Sequence, residues 1–552
     1  MNKFPFHHAL LALIFTAPLV AQPPRLTIVL VVDQLASHFF MKPSAYFKGA
    51  FKQLLQNGIV YEQANFPHGM PSTATGHAAL STGTYAHNHG IIGNYWYNKE
   101  GTKKLNCYLD SPEDAALFIP GGLSTDRGYS CKNLLVDGIS DQYMIASKNN
   151  DRSVYSFSLK SRASMGMGNH RGKNIWFDTK TGRMTSSKAF FGALPAWLNQ
   201  FNTTHPVAAH QDISWQLMYS PSSKQYRFDH ARDDRFGAFS EHIQKRHITL
   251  TPKPGEAEEK YAEAHKWFEV VPAENQYVLD CAYTGIRNEL PHNKHMLVWI
   301  SLSGIDKLGH RVGSHNIALI DMLYKLDMQL KTFMSSIKKL LKKKESVAYV
   351  LTGDHGAMPL PQLLAIDGYP AKRLNSDEVR AATNEQLKEK FGIEDLVKAY
   401  KTPQFFLDEP KFGALSLEEQ RTISHEITQF LKSVPGIRHA WTFDELNSTT
   451  YPTHSFEEHL KQQLYPGLSG RITVQTHPYV LMTDYHLGTG HKTPYNYDTQ
   501  VPLIIHRRNV LEKKHIKSKV WTTQLAATLA SILEVPRPSA ATFGMLPEIA
   551  QG

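Results

Sequence analysis

Three Asp and three His residues in four separated segments, plus a turn rich in hydroxyls, carry the chemistry this chain can offer. Residues 26–33 (LTIVLVVD) form an apolar run that ends on Asp33. Residues 306–310 (DKLGH) set Asp306 four positions before His310, and residues 353–356 (GDHG) hold the adjacent pair Asp354 and His355. Residues 488–494 (GTGHKTP) add His491, and residues 72–77 (STATGH) form the hydroxyl-bearing turn. Two divalent cations about 3.5–4 Å apart can clamp both the attacking and the leaving oxygen of a phosphoryl group. Such a pair needs hard carboxylates for charge and imidazoles for zinc-like affinity. The chain has 28 histidines, most of which must serve surface or core, so only the joint arrangement singles these out.

A Ser or Thr hydroxyl is a weak nucleophile until a metal or a base activates it. By spacing alone Ser72, Thr73 and Thr75 are all eligible. Ala78, Ala79 and Leu80 read as the first turn of a helix, whose N-terminus would favour phosphate. The ordinary use of hydroxyls in that position is helix capping.

The elements that must position these residues can be read around them. Residues 26–32 are β-branched and aliphatic almost throughout, as suits a strand covered on both faces of a parallel sheet. Residues 296–301 (MLVWIS) and 347–352 (VAYVLT) repeat that pattern, each running into an Asp-bearing turn. Between them Leu319, Leu323, Leu326, Leu330, Phe333, Ile337 and Leu341 recur at helical spacing. Strand, helix and strand in this order imply a right-handed crossover. All six Asp and His residues are thereby expected at or just after strand ends. A helix over 46–56, a strand over 501–505 and a closing helix over 522–535 complete the core. The expected class is α/β, a mainly parallel central sheet with helices on both faces, plus a small α+β insertion.

That insertion is placed at 359–479, between core segments 22–358 and 480–552. Its signals are a strand over 404–407, a capping box at Ser416 and Glu419, an apolar helical stripe and a returning strand over 437–443. Residues 1–21, with Lys3 and an apolar stretch from Ala9 to Val20, read as a secretory signal peptide. The expected location is periplasmic or secreted, with no membrane span after cleavage. The net charge of +10 is spread along the chain, and no basic–aromatic cluster suggests a nucleic-acid-binding domain. A monomer is favoured. Cys107, Cys131 and Cys281 are the only cysteines; Cys107 and Cys131 are close enough in sequence to pair, and three separate buried thiols are the equal alternative.

The ordered blocks VVDQL, STATGH, STGT, GIIGNYW, LKSR, GIDKLGH, LTGDHG and GTGHKTPYNYDTQVPL resemble the alkaline phosphatase superfamily in its type I phosphodiesterase/nucleotide pyrophosphatase branch. They are most similar to bacterial phosphate-irrepressible alkaline phosphatases with a Thr nucleophile. The resemblance implies Thr73 as nucleophile, also touching one metal, with His77 a structural helix residue. It implies two Zn²⁺ per chain, one on Asp306, His310 and His491, the other on Asp33, Asp354 and His355. Asn94 matches an amide that donates to a phosphoryl oxygen. Lys160 and Arg162 match a cation pair of the monoesterases, where a dianion carries a charge that a diester lacks. The implied substrates are small-molecule phosphate monoesters, hydrolysed through a phosphothreonine. The relatives' Pro between nucleophile and His is replaced by Ala74-Thr75-Gly76, which keeps Thr75 as a lesser candidate. Asn169, His170 and Arg171 follow the cation pair as weak candidates for substrate contact. The alternative readings are a phosphodiesterase or nucleotide pyrophosphatase on the same scaffold, and a non-catalytic exported metal- or phosphate-binding protein.

Overall fold

The computed structural model describes residues 22–549 apart from 120–121, 211, 229–244, 248–264 and 343–344. The proposed signal peptide, residues 1–21, lies outside the described residues.

Nine strands form the central sheet. In chain order they are β1 (Leu26–Val32), β2 (Ile59–Asn65), β3 (Arg152–Ser158), β4 (Lys173–Asp178), β5 (Arg183–Thr185), β6 (His295–Leu302), β7 (Val347–Thr352), β8 (Gln500–Arg507) and β9 (Lys514–Trp521). Across the sheet they run β5-β4-β3-β6-β1-β7-β8-β2-β9. β1 sits between two parallel neighbours, β6 and β7, and every one of its residues is buried. Alternation of side chains splits it between two cores. Leu26, Ile28, Leu30 and Val32 join the cluster that holds Leu319, Leu323 and Leu330 of the long helix. Val29 and Val31 join the opposite cluster with Ala79, Leu80, Leu525 and Leu529. Helices therefore cover both faces, as an apolar strand with no polar side requires.

The sheet is more mixed than the sequence pattern implies. β8 runs antiparallel to both β7 and β2, and β5 antiparallel to β4. An apolar run of five residues has no mark of direction, so only its partners decide it.

Register is what assembles the site. Ser158 of β3 pairs with Ser301 of β6, Ser301 with Val31 of β1, and Val31 with Thr352 of β7. Two residues beyond that line stand Lys160, Ser303, Asp33 and Asp354, brought to one edge from four parts of the chain. Because β8 runs the other way, its first residue meets the same edge, and the loop before it carries His491.

Helix α1 (Thr73–Thr82) follows β2, α2 (Ser161–Gly168) follows β3, and α3 (Gly304–Val312) follows β6. The long helix α4 spans Ile317–Leu340, in the expected place. The helix expected over 46–56 instead runs Ala50–Asn57. Its free amides are met from far away, since the Asp327 carboxylate accepts from the backbone of Lys48, Gly49 and Phe51 at 2.8, 2.6 and 2.7 Å. A cap supplied by α4 leaves no trace beside the helix it starts.

Residues 359–479 contain a four-stranded antiparallel sheet, Val397–Lys401, Gln404–Leu407, Ile472–Thr476 and Ile437–Thr442 in spatial order. Helices Ser376–Phe391 and Leu417–Ser433 pack on it around Leu387, Phe405, Ile423, Ile427 and Leu431. Ser416 Oγ accepts from Glu419 N at 3.2 Å while Glu419 accepts from Ser416 N at 2.8 Å, the reciprocal cap expected of that pair. Gln463 ties this layer to the core through the backbone of Met70 and Ile92. All three cysteines are free and buried, so no Cys107–Cys131 bridge is present.

Candidate active site

The helix of the hydroxyl turn starts earlier than its alanines suggest. Thr73 is its first residue and Ser72 its cap position, so the Thr73 side chain stands at the amide end of α1. Thr75 Oγ1 is engaged with Ser72 Oγ at 3.1 Å, which among the described residues leaves Thr73 as the hydroxyl of this turn without a side-chain partner. Thr73 is buried, 1% exposed. Gly76 is needed because a Cβ there would lie 2.1 Å from the Asp354 carbonyl oxygen. That contact presses the first turn of α1 onto the GDHG segment.

His77 is structural, buried within α1. Its Nδ1 donates to the Thr73 carbonyl at 2.7 Å, its Nε2 accepts from Ser301 Oγ at 2.9 Å, and burial lowers it to about 4.

The six Asp and His residues converge as two groups. Asp306, His310 and His491 form one, and Asp33, Asp354 and His355 the other; within each, one ligand atom per residue lies within 4.8 Å of the rest. Every imidazole is held by its Nδ1. His310 donates to Thr489 O at 2.8 Å, His355 to Gly356 O at 2.9 Å and His491 to Pro71 O at 2.9 Å. The tautomer is thereby fixed and each Nε2 lone pair faces the carboxylates. His310 Nε2 lies 3.2 Å from Asp306 Oδ1, and His355 Nε2 lies 3.5 Å from Asp33 Oδ1 and 3.4 Å from Asp354 Oδ2. The two groups touch, with the His355 and His491 rings stacked at 3.6 Å.

Three of these buried ligand atoms, Asp33 Oδ1, Asp354 Oδ2 and His355 Nε2, have no hydrogen-bond partner among the described residues. Buried polar atoms without partners are costly, and a cation at their centre would satisfy all three at once. The donor set of carboxylate oxygens and imidazole nitrogens fits zinc-like ions. Burial keeps the His355 and His491 imidazoles below their ordinary value, hence neutral and able to ligate. Burial raises Asp306, but the Lys160 ammonium and His310 outweigh it and hold the carboxyl well below the usual range.

His491 departs from the strand-end expectation, since it comes from the loop that leads into antiparallel β8. Asp306 and His310 lie one turn apart on α3, which begins two residues after β6, so Asp306 stands just after a strand end as expected.

Lys160 is no solvated surface cation: it is 5% exposed and bonded to Asp33 Oδ2 at 2.6 Å and to Asp306 Oδ2. One ammonium thus touches a carboxylate of each group. Arg162 is half-buried two residues on, with Nε unpartnered among the described residues. Asn94 accepts from Ala74 N at 2.8 Å through Oδ1, which orients the amide and leaves Nδ2 to donate beside Thr73. Asn169 and His170 are occupied elsewhere. Asn169 donates to Ser81 Oγ and Gly166 O, and His170 to Asp141 and Leu134 O, while the Arg171 backbone donates to Asp141.

Sequence reasoning passed over Gln34 and Ser303. Gln34 donates from its backbone to Asp354 Oδ1 at 3.0 Å and from its side chain to Asp306 Oδ1 at 3.2 Å, with φ at 65°. Ser303 Oγ donates to Asp33 Oδ2 at 3.0 Å. Adjacency to a candidate ligand was the one available signal for Gln34.

The family model for type I phosphodiesterase / nucleotide pyrophosphatase matches residues 27–400, a span that includes nine of the ten candidate site residues. The chain belongs to this family. Over nearly its full length this family member is 26% identical to a calcium-transporting ATPase of Myroides odoratus, covering 94% of this chain and 93% of that one. It is also 26% identical to the alkaline phosphatase PafA of Elizabethkingia meningoseptica, covering 95% and 94%. The crystal structure of wild-type alkaline phosphatase PafA superposes with a TM-score of 0.83 over 96% of this chain and 99% of that one, at 24% identity, which shows an alkaline phosphatase-like fold. Among the described residues no helix is long and apolar enough to cross a membrane.

Proposed function

We propose that this chain is an exported, metal-dependent alkaline phosphatase that hydrolyses phosphate monoesters through Thr73. The observation that carries the reading is the convergence of two Asp/His groups, each with its imidazoles fixed through Nδ1, at the edge where α1 begins on Thr73. The alkaline phosphatases among the full-length relatives support it. The apolar N-terminal stretch supports export.

Asp306, His310 and His491 would hold one divalent cation and Asp33, Asp354 and His355 a second, with zinc favoured by the donor set. Bound there, such cations supply Lewis-acid charge for the attacking and leaving oxygens. Thr73 gives up its proton, its Oγ1 bonds to phosphorus, and the ester P–O bond breaks in line. The alcohol departs with a proton from solvent. Water then attacks phosphothreonine from the opposite side, the P–Oγ1 bond breaks, and Thr73 regains a proton as phosphate leaves. Asn94 donates from Nδ2 to an equatorial phosphoryl oxygen. Lys160, on its flexible stem, shifts its ammonium from the carboxylates to the phosphoryl group, and with Arg162 meets the extra charge of a monoester dianion.

The test is kcat/KM for p-nitrophenyl phosphate against bis-p-nitrophenyl phosphate, on zinc-loaded wild type and on Lys160→Ala/Arg162→Ala. A monoester preference that collapses in the double variant supports the reading. A diester preference indifferent to both changes would make the chain a phosphodiesterase. Turnover undiminished in Thr73→Ala would remove the nucleophile from the scheme.

A further inference from the structure

The reaction site opens into a cavity of about 380 Å³ whose wall includes Asn94, His310 and His491 together with Lys104, Lys401 and Lys492. Lys104 and Lys401 gather on one ring, with Nζ at 4.5 and 5.9 Å from the Tyr95 centroid. Lys401 and Lys492 also line a smaller adjoining cavity with Ser72 and Asn94, so this basic wall reaches the start of α1.

The charges around the cavity divide into two kinds. Arg380 is paired with Asp377 at 3.6 Å, and Lys398 with Asp395 at 2.6 Å and Asp408 at 3.6 Å. Lys104, Lys401 and Lys492 form no ion pair with a carboxylate among the described residues. Asp484, the remaining acid on the wall, is exposed and takes its hydrogen bond from Thr483 Oγ1. Two of the three unpaired lysines are half-buried. Lys492 is held at φ 112°, a backbone conformation that side-chain-bearing residues rarely adopt. Burial, with Lys104 next, lowers Lys401 to about 8, while Lys492 and Asp484 act in the opposite direction.

Lysine amines gathered on one wall of a polar cavity repel one another when charged, and an anion bound among them would offset that repulsion. We propose that Lys104, Lys401 and Lys492 form a second anion subsite for a phosphoryl group on the leaving-group side of the substrate, which selects bisphosphates over simple monophosphates. The inference rests on the phosphatase reading for the scissile phosphate, but the subsite is a binding claim with its own readout.

Propane-1,3-diol bisphosphate and its monophosphate are the probes, with metal-loaded protein. Wild type should favour the bisphosphate in kcat/KM by about tenfold or more, the worth of one good charge-assisted contact. That ratio should fall toward one in Lys401→Gln and in the exposed Lys104→Gln, and return in Lys401→Arg. Equal losses on both probes would mean a structural role and overturn the proposal, as would a wild-type ratio near one. Calorimetric Kd values for the two probes on Thr73→Ala test the subsite without turnover. Failure of wild type to hydrolyse either probe or p-nitrophenyl phosphate would sink the phosphatase reading. The Kd ratio would still decide the subsite.

Discussion

β1 is buried along its whole length and ends on a carboxylate bonded to Lys160 and Ser303. Strand Val397–Lys401 of the 359–479 layer alternates between buried and half-exposed residues and ends on a lysine with no acidic partner among the described residues. The first strand is fixed by two parallel neighbours and packed on both faces, so its terminal Asp has one place to be. The second belongs to a small sheet with one covered face, and its terminal Lys looks into a cavity. Groups that must agree in position to fractions of an ångström are set on the rigid, doubly covered sheet. Groups that only need to supply charge come from the thinner layer.

Perturbations of the two layers should separate accordingly. Thr73→Ala should lower kcat by about 10⁴-fold or more, the scale seen when a nucleophile is removed. Its melting temperature should stay close to wild type; a comparable loss of folding would instead make Thr73 a packing residue. Chelation should remove nearly all turnover and also lower thermal stability, by about 4 kcal/mol if the ion was present at a thousandfold over its Kd. Calorimetry before and after zinc is restored checks this, and an unchanged melting profile would argue against two bound cations. Lys160→Ala/Arg162→Ala should cost about 10²–10³ in monoester kcat/KM, as for other transition-state donors, with a smaller loss on diesters.

Gly76→Ala drives a methyl against the Asp354 carbonyl and should cost about 1–3 kcal/mol by overpacking. Because that carbonyl belongs to the GDHG segment, activity should fall with it. Denaturant unfolding paired with kcat/KM reads both. Ser416→Ala in the outer layer removes a reciprocal cap and should cost about 1 kcal/mol. Its kcat on p-nitrophenyl phosphate should match wild type within about twofold, because a cap is worth its local helix and nothing more. A large loss of turnover from this distant change would erase the distinction between the layers.

How much was legible beforehand can be judged residue by residue. The strands over 347–352 and 404–407, the long helix after α3 and the Ser416 cap are local matters of hydrophobic period and capping, and they were readable. The helix Ala50–Asn57 was misplaced because its cap is Asp327, far away in sequence. The two Asp/His groups were assembled from resemblance as well as from residue type, and the geometry brings the same residues together. The bridging position of Lys160 and the roles of Gln34 and Ser303 were not readable. Each depends on a neighbour reached through strand pairing rather than along the chain.

By itself the sequence determined the chemical inventory: three carboxylates, three imidazoles, a hydroxyl turn and the apolar runs that carry them to strand ends. Those properties depend on residue type and on spacing within a few positions. The tertiary structure alone decided that Lys160, Ser303, Asp33 and Asp354 stand side by side, because parallel register sets how far each strand reaches. It also decided that β8 runs backward, which brings His491 to that edge, and that three unpaired lysines face the same cavity. Direction and register are properties of pairs of segments, and no single segment encodes them.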